Sequence, residues 1–247
     1  MRTRPFFALV LLAALASSAY SGTPATLIHG PGAREVADSD DAPELHGDFP
    51  QSCMVEMPTT FCSATVVSKT VAVTAAHCYT GGNGKPQDVT LYCGGNRAVY
   101  QAVLAPNPNY VAGGEMTAER IANDYTFVTL KGRKEFNAEP MPYAKTGMWG
   151  LFSNQARNTC RIAGWGYNNE GTSGRLFYAP IQFLAYEEGT TDVLTIGMNG
   201  QNVNGADPGD SGGSLICEYK SKWYLVGVLA AGKDNMAAAV NAMDGLN

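Results

Sequence analysis

The sequence predicts an all-β protein of sandwich or barrel type, and three observations carry that expectation. Short apolar stretches recur from Cys53 onward, among them "TFCSATVVS", "TVAVTAAH", "DVTLYC", "YTFVTL", "CRIAGWG", "LFYAPIQFL", "DVLTIGM", "SLICEY" and "KWYLVGVLAA". Many are rich in β-branched or aromatic residues, and Gly, Pro or Asn separates them, which is the pattern of strands joined by turns. The composition agrees: only 16% of the 247 residues are charged, 45% are hydrophobic, and 28 are glycine. That leaves enough apolar surface for a packed core and many turn positions. No sustained helical period is present. "MTAERIAND" and the tail "AAAVNAM" are the two weak helix candidates.

Taken from the N-terminus, the chain opens "MRTRPFFALVLLAALASSAYS", with Arg2 and Arg4 before an apolar run from Phe6 to Ala16 and then small residues. This is the layout of a secretory signal peptide, expected to span 1–19 with cleavage after Ala19 or Ser21. The run is 11 residues, against about 20 for a membrane span. Losing Arg2 and Arg4 leaves 15 basic residues against 22 acidic, a net of −7. No basic run favours a phosphate backbone, and no basic amphipathic helix favours a membrane surface. Neither nucleic acid nor membrane is therefore expected as a partner. The expected location is secreted, extracellular or periplasmic.

Residues 20–48, with "ADSDDAPELHGD", read as a propeptide or extended N-terminal segment whose acids are a solvated run. A boundary near "NAEPMPYAKTG" follows from Pro140 and Pro142, which interrupt the strand pattern. It divides the rest into 49–140 and 141–247. Six cysteines (Cys53, Cys62, Cys78, Cys93, Cys160 and Cys217) in an exported chain suggest disulfides. Zinc is disfavoured, since no C-x-x-C pair exists and there are three histidines. Spacing alone does not choose among the pairings. No N-x-Ser/Thr sequon is present.

The candidate chemistry lies in "NGADPGDSGGSLIC", from Asn204 to Cys217. Gly, Asp and Ser make ordinary surface turns, so "GDSGG" alone is as compatible with a turn as with a site. A serine nucleophile needs a base, usually an imidazole oriented by a buried carboxylate. His29 and His46 lie in the polar N-terminal segment, whereas His77 ends the apolar run "TVAVTAAHC". Asp124 opens the apolar strand of "IANDYTFVTL", where a carboxylate must be capped, paired or exposed.

"TAAHC", "ND" before an apolar strand, "GWG" and "GDSGG" occur in that order, and together they resemble the chymotrypsin/trypsin-like serine endopeptidases over roughly Phe49 to Gly232. The order His, Asp, Ser is that family's and differs from those of subtilisins and α/β-hydrolases. Intervals of 47 and 87 residues separate the three. The resemblance implies two packed six-stranded antiparallel β-barrels with the active site in the cleft between them. It implies Ser211 as nucleophile, His77 as general base and Asp124 as the carboxylate that orients it. Backbone N–H groups of Gly209 and Ser211 would form the oxyanion hole, with glycine supplying the backbone angles. Asp210 would pair with a new N-terminal ammonium in a zymogen, with Ile28 the candidate N-terminus and cleavage after Arg34 the alternative. Cys62–Cys78 and Cys160–Cys217 resemble family bridges. Cys53 and Cys93 remain; the resemblance implies that they lie on neighbouring strands of the first barrel, and they are expected to pair.

The pocket departs from the trypsin pattern. Where those members carry an acid, six residues before the serine, Gly205 stands here. By position the pocket walls are Gly205, Ala206, Asp207, Pro208, Ala230, Ala231 and Gly232, which favours an apolar side chain over Lys or Arg. Asp207 and Asp234 read as solvated loop carboxylates; either one inside the pocket would restore a basic preference. "NMAAAVNAM" is expected to supply the pocket-wall strand, with no long terminal helix. The leading expectation is a secreted serine endopeptidase acting through an acyl-enzyme, without metal or cofactor. Its partners would be polypeptide substrates and protein inhibitors, and it would be a monomer. Two alternatives are a protease-like binding or adhesion protein that no longer cleaves, and an esterase-like hydrolase. Retention of the three residues argues against the first, and the absence of G-x-S-x-G on a strand-to-helix turn against the second.

Overall fold

The computed structural model describes residues 34–35, 49–94, 97–115, 117–145, 147–152, 160–167, 173–181, 183–186, 190–197, 208–231, 236–240, 243 and 245–246. The expected signal segment 1–19, Ile28, His29 and His46 lie outside them, as do Gly205, Ala206, Asp207, Gly232 and Asp234. The fold is all-β, as expected, with one closed barrel and a second antiparallel sheet.

The barrel closes in the order β2-β3-β4-β7-β6-β5. Its strands are β2 (Ser52–Glu56), β3 (Phe61–Val66), β4 (Val71–Thr74), β5 (Gln87–Cys93), β6 (Ala98–Leu104) and β7 (Thr126–Leu130). In β5 the alternation is plain: Val89, Leu91 and Cys93 are buried between more exposed neighbours. Successive side chains on a strand point to opposite faces, so this set fills the barrel while Asp88 and Thr90 face outward. In β3 both faces are covered. Cys62, Ala64 and Val66 enter the barrel core, and Ser63 and Thr65 are buried on the opposite side. The far faces of β2 and β4 likewise send Met54 and Val73 into the core of the second unit.

That second unit is an eight-stranded sheet in the order β1-β9-β8-β12-β13-β14-β11-β10. Its members are β1 (Arg34–Glu35), β8 (Cys160–Gly164), β9 (Phe177–Pro180), β10 (Phe183–Tyr186), β11 (Val193–Gly197), β12 (Ser214–Tyr219), β13 (Lys222–Ala231) and β14 (Met236–Ala239). The dipeptide β1 adds to the edge, with Arg34 opposite Tyr178 and Glu35 opposite Phe177. The connection between the units is stitched to both. Met141 donates its N–H to Val66 O at 2.9 Å, and Leu225 donates to Pro142 O at 2.8 Å.

Of the two helix candidates, one forms. α1 (Ala118–Ala122) lies within "MTAERIAND", capped by the Thr117 hydroxyl, which accepts from Arg120 N–H at 3.2 Å. The alanine-rich tail instead supplies β14 between β13 and β11. A Cβ at Gly227 would lie 3.0 Å from Ala238 O, so the two strands approach closely and small residues suit the gap. Packing outweighs the helix preference of alanine here. A further helical turn, α2 (Trp149–Phe152), carries Phe152, which is fully buried beside the rings of Tyr219 and Tyr224.

Three disulfides join Cys53–Cys93, Cys62–Cys78 and Cys160–Cys217. Two of them link residues directly opposite in neighbouring strands, Cys53 with Cys93 across β2 and β5, and Cys160 with Cys217 across β8 and β12. Replacing both Cys53 and Cys93 by serine is expected to cost about 4 kcal/mol, the chain-entropy effect of opening a loop of this size. The urea midpoint of the double variant against the parent measures it.

Candidate active site

β4 ends at Thr74, and Ala76–Cys78 forms a single 3-10 turn that turns His77 out of the barrel wall. Cys78 N–H reaches back to Ala75 O at 3.3 Å and Tyr79 N–H to Ala76 O at 3.0 Å. The bridge to Cys62 then ties this turn to β3. His77 is held by one carboxylate through two contacts. Its backbone N–H donates to Asp124 Oδ1 at 2.9 Å, and its ring Nδ1 lies 2.7 Å from Asp124 Oδ2. The Asp124 side chain is fully buried, while that of His77 is 31% exposed. A neutral ring that carries its hydrogen on Nδ1 and donates a hydrogen bond to the carboxylate has its lone pair on Nε2.

Asp124 is fixed from its own neighbourhood. It follows α1, and its N–H donates to Ile121 O at 3.0 Å. The Asn107 side-chain amide donates to the carbonyls on either side, Asn123 O at 2.8 Å and Tyr125 O at 2.9 Å. Sequence reasoning missed Asn107, which lies in "APNPNY" and carries no local sign of its reach. On α1, Arg120 sits over the Tyr110 ring and donates to its hydroxyl at 2.9 Å. Burial pushes the Tyr110 phenol above its ordinary value, with the Arg120 hydrogen bond opposing and the Asp124 charge adding to the rise.

Ser211 lies in a turn whose backbone only glycine takes easily: Gly209 has φ +102° and Gly212 φ +82°. The loop is seated on the barrel. Ser63 N–H donates to Ser211 O at 2.8 Å, and Cys78 Sγ lies 3.9 Å from that same oxygen. A Cβ at Gly212 would strike Thr74 Oγ1 and Ser63 O, and would sit 2.7 Å from Ala75 N. The close approach allows no side chain there. On the other flank Gly212 N–H donates to Leu229 O in β13 at 2.7 Å. The turn bearing His77 and the loop bearing Ser211 are thus packed together at the junction of the two units.

Asp210 is buried, and its Oδ1 accepts from Gly166 N–H at 2.8 Å. The "GWG" motif, Gly164 to Gly166, makes the space for it. A Cβ at Gly164 would collide with the Asp210 carboxylate, and one at Gly166 would lie 2.8 Å from Asp210 Oδ1. A phase of glycine-tryptophan-glycine read from sequence marks the family resemblance; its use as a carboxylate cradle emerges only in three dimensions.

Comparison with known proteins agrees with this geometry. The family model described as Trypsin matches residues 40–242. The chain belongs to the trypsin family. It is also similar to coagulation factor XII of Rattus norvegicus, 24% identical over 191 residues that make up 70% of this chain and 32% of the relative. The trypsin-family chain thus spans about a third of that relative's length.

Of the pocket positions, Pro208 is exposed and Ala230 is buried against Ile121 and Val193. Ala231 ends β13. Gly205, Ala206, Asp207 and Gly232 lie outside the described residues, as does Ile28, the expected partner of Asp210. Substituting Gly166→Ala is expected to cost about 1–3 kcal/mol through overpacking against Asp210. Chemical denaturation against the parent reads the change, and an unchanged midpoint would show that Asp210 moves aside freely.

Proposed function

We propose that this trypsin-family protein is an exported serine endopeptidase that uses Ser211, His77 and Asp124. The observation that supports the reading most directly is the His77–Asp124 pair. A fully buried carboxylate accepts from both the backbone and the ring of one histidine. That arrangement fixes the ring's tautomer and stabilises its protonated form when a proton arrives.

In the proposed reaction, Ser211 Oγ adds to the carbon of a peptide carbonyl as its proton passes to His77 Nε2. The carbonyl oxygen becomes an oxyanion that accepts hydrogen bonds from the N–H groups of Gly209 and Ser211. The C–N bond then breaks, His77 gives its proton to the leaving amine, and an acyl-enzyme remains. Water, deprotonated by His77, hydrolyses the ester and restores the serine. Donors fixed toward the developing charge are worth about 3–4 kcal/mol each in such sites, and the left-handed Gly209 backbone supports that orientation.

Small residues at Ala230 and Ala231, with Gly205 in place of an acid, support a preference for apolar side chains over Lys or Arg. Export is supported by the N-terminal apolar segment and by three disulfides, which persist in oxidising compartments.

Purified mature protein is expected to react with a fluorophosphonate at Ser211, and Ser211→Ala is expected to take up none. Asp124→Asn should lower kcat by about 10⁴-fold by favouring the wrong tautomer. Absence of labelling in the folded, processed protein would leave a polypeptide-binding role for the same cleft. A peptide library should return apolar residues before the cleaved bond, and cleavage after Lys or Arg would overturn the pocket assignment.

A further inference from the structure

Ser63 occupies the centre of the junction without belonging to the catalytic group. It is completely buried on the outward face of β3. Its hydroxyl donates to Gly209 O at 2.8 Å and accepts from Trp165 N–H at 2.9 Å. Its backbone N–H donates to Ser211 O at 2.8 Å, and its carbonyl accepts from the Thr74 hydroxyl at 2.6 Å. One residue of the barrel therefore grips the loop at both Gly209 and Ser211, the two residues proposed to supply the oxyanion hole.

We propose that Ser63 is a positioning residue for acyl transfer, its hydroxyl fixing the Gly209 carbonyl and thereby the direction of the Gly209 and Ser211 N–H groups. The inference rests on the peptidase reading of this site. Glycine at φ +102° has other backbone wells open to it at little cost. A donor on its carbonyl fixes ψ and closes those alternatives. The next residue is held from the other unit, where Asp210 Oδ1 accepts from Gly166 N–H. Gly209 O is held by β3 and the side chain of the adjoining Asp210 by the segment after β8, so this stretch is held from both units. The chain of donors, from Trp165 N–H through the Ser63 hydroxyl to Gly209 O, also polarises each bond along it. Removing the hydroxyl leaves a buried N–H and a buried C=O without their partner, so the loop gains a reason to rearrange.

The test compares Ser63→Ala with Thr65→Val, a control two residues along the same face of β3. The Thr65 hydroxyl is buried and makes no hydrogen bond among the described residues. In Ser63→Ala, kcat should fall about tenfold or more, part of the 10²–10³ seen when an oxyanion donor is lost outright. KM should stay within about twofold, and affinity for a peptide aldehyde should weaken by the same factor as kcat. Amide hydrogen exchange across 208–213 should accelerate in Ser63→Ala and not in Thr65→Val. Should alanine prevent folding, Ser63→Cys supplies a weaker donor of similar size for the same comparison. Unchanged kcat and exchange, a loss confined to KM, or an equal loss in Thr65→Val would each overturn the inference. The two readings separate cleanly: if the parent protein takes no fluorophosphonate the peptidase reading fails, and exchange at 208–213 still decides whether Ser63 holds the loop.

Discussion

Among the described residues two carboxylates, Asp124 and Asp210, are buried, and much of the surrounding architecture answers to them. A carboxylate removed from water must be given hydrogen bonds or a partner charge, since leaving it bare costs several kcal/mol. Asp124 receives the backbone and the ring of His77. Asp210 receives the Gly166 N–H, in a space kept open by two glycines. Each acid thereby locks a different loop. One sets the orientation of the imidazole, and the other sets the backbone directly before Ser211.

These loops meet along a polar seam between the two units. The outward faces of β2 and β3 place Ser52 and Ser63 where an isolated barrel would face water, and both are fully buried. Trp165 satisfies them together: its indole N–H donates to Ser52 Oγ at 3.1 Å and its backbone N–H to Ser63 Oγ at 2.9 Å. Around the seam, Met54 and Val73 supply apolar contact with the second core. Apolar area provides most of the driving force for docking, while hydrogen bonds of fixed direction set the register of one unit on the other. A site built across such a junction needs that register, because a displacement near 1 Å is enough to weaken catalysis severely.

The parts of the fold legible in the sequence were those with local signatures. Val89, Leu91 and Cys93 alternate as a strand should, and β5 forms there. The glycines of "GDSGG" were expected to supply unusual backbone angles, and Gly209 and Gly212 have positive φ. In the tail, the strand expected within "NMAAAVNAM" forms as β14 and the weak helix candidate does not, because β14 packs closely on Gly227 in β13, which no local pattern reveals. Edge strand β1 owes its existence to Phe177 and Tyr178, more than a hundred residues away.

The candidate site divides in the same way. The sequence by itself determined which residue types stood in which order: His77 after an apolar strand, Asp124 before one, Ser211 among glycines, and six cysteines along the chain. These follow from alternation, turn chemistry and motif order, all of which act over a few residues. Only the tertiary structure decided that Asn107 would hold the segment around Asp124, that Gly164 and Gly166 would cradle Asp210, and that Ser63 would grip the loop 146 residues away. Such contacts arise when strands distant in the chain are brought face to face, and the hydrogen-bonding demands of buried groups then select the residue at each meeting point.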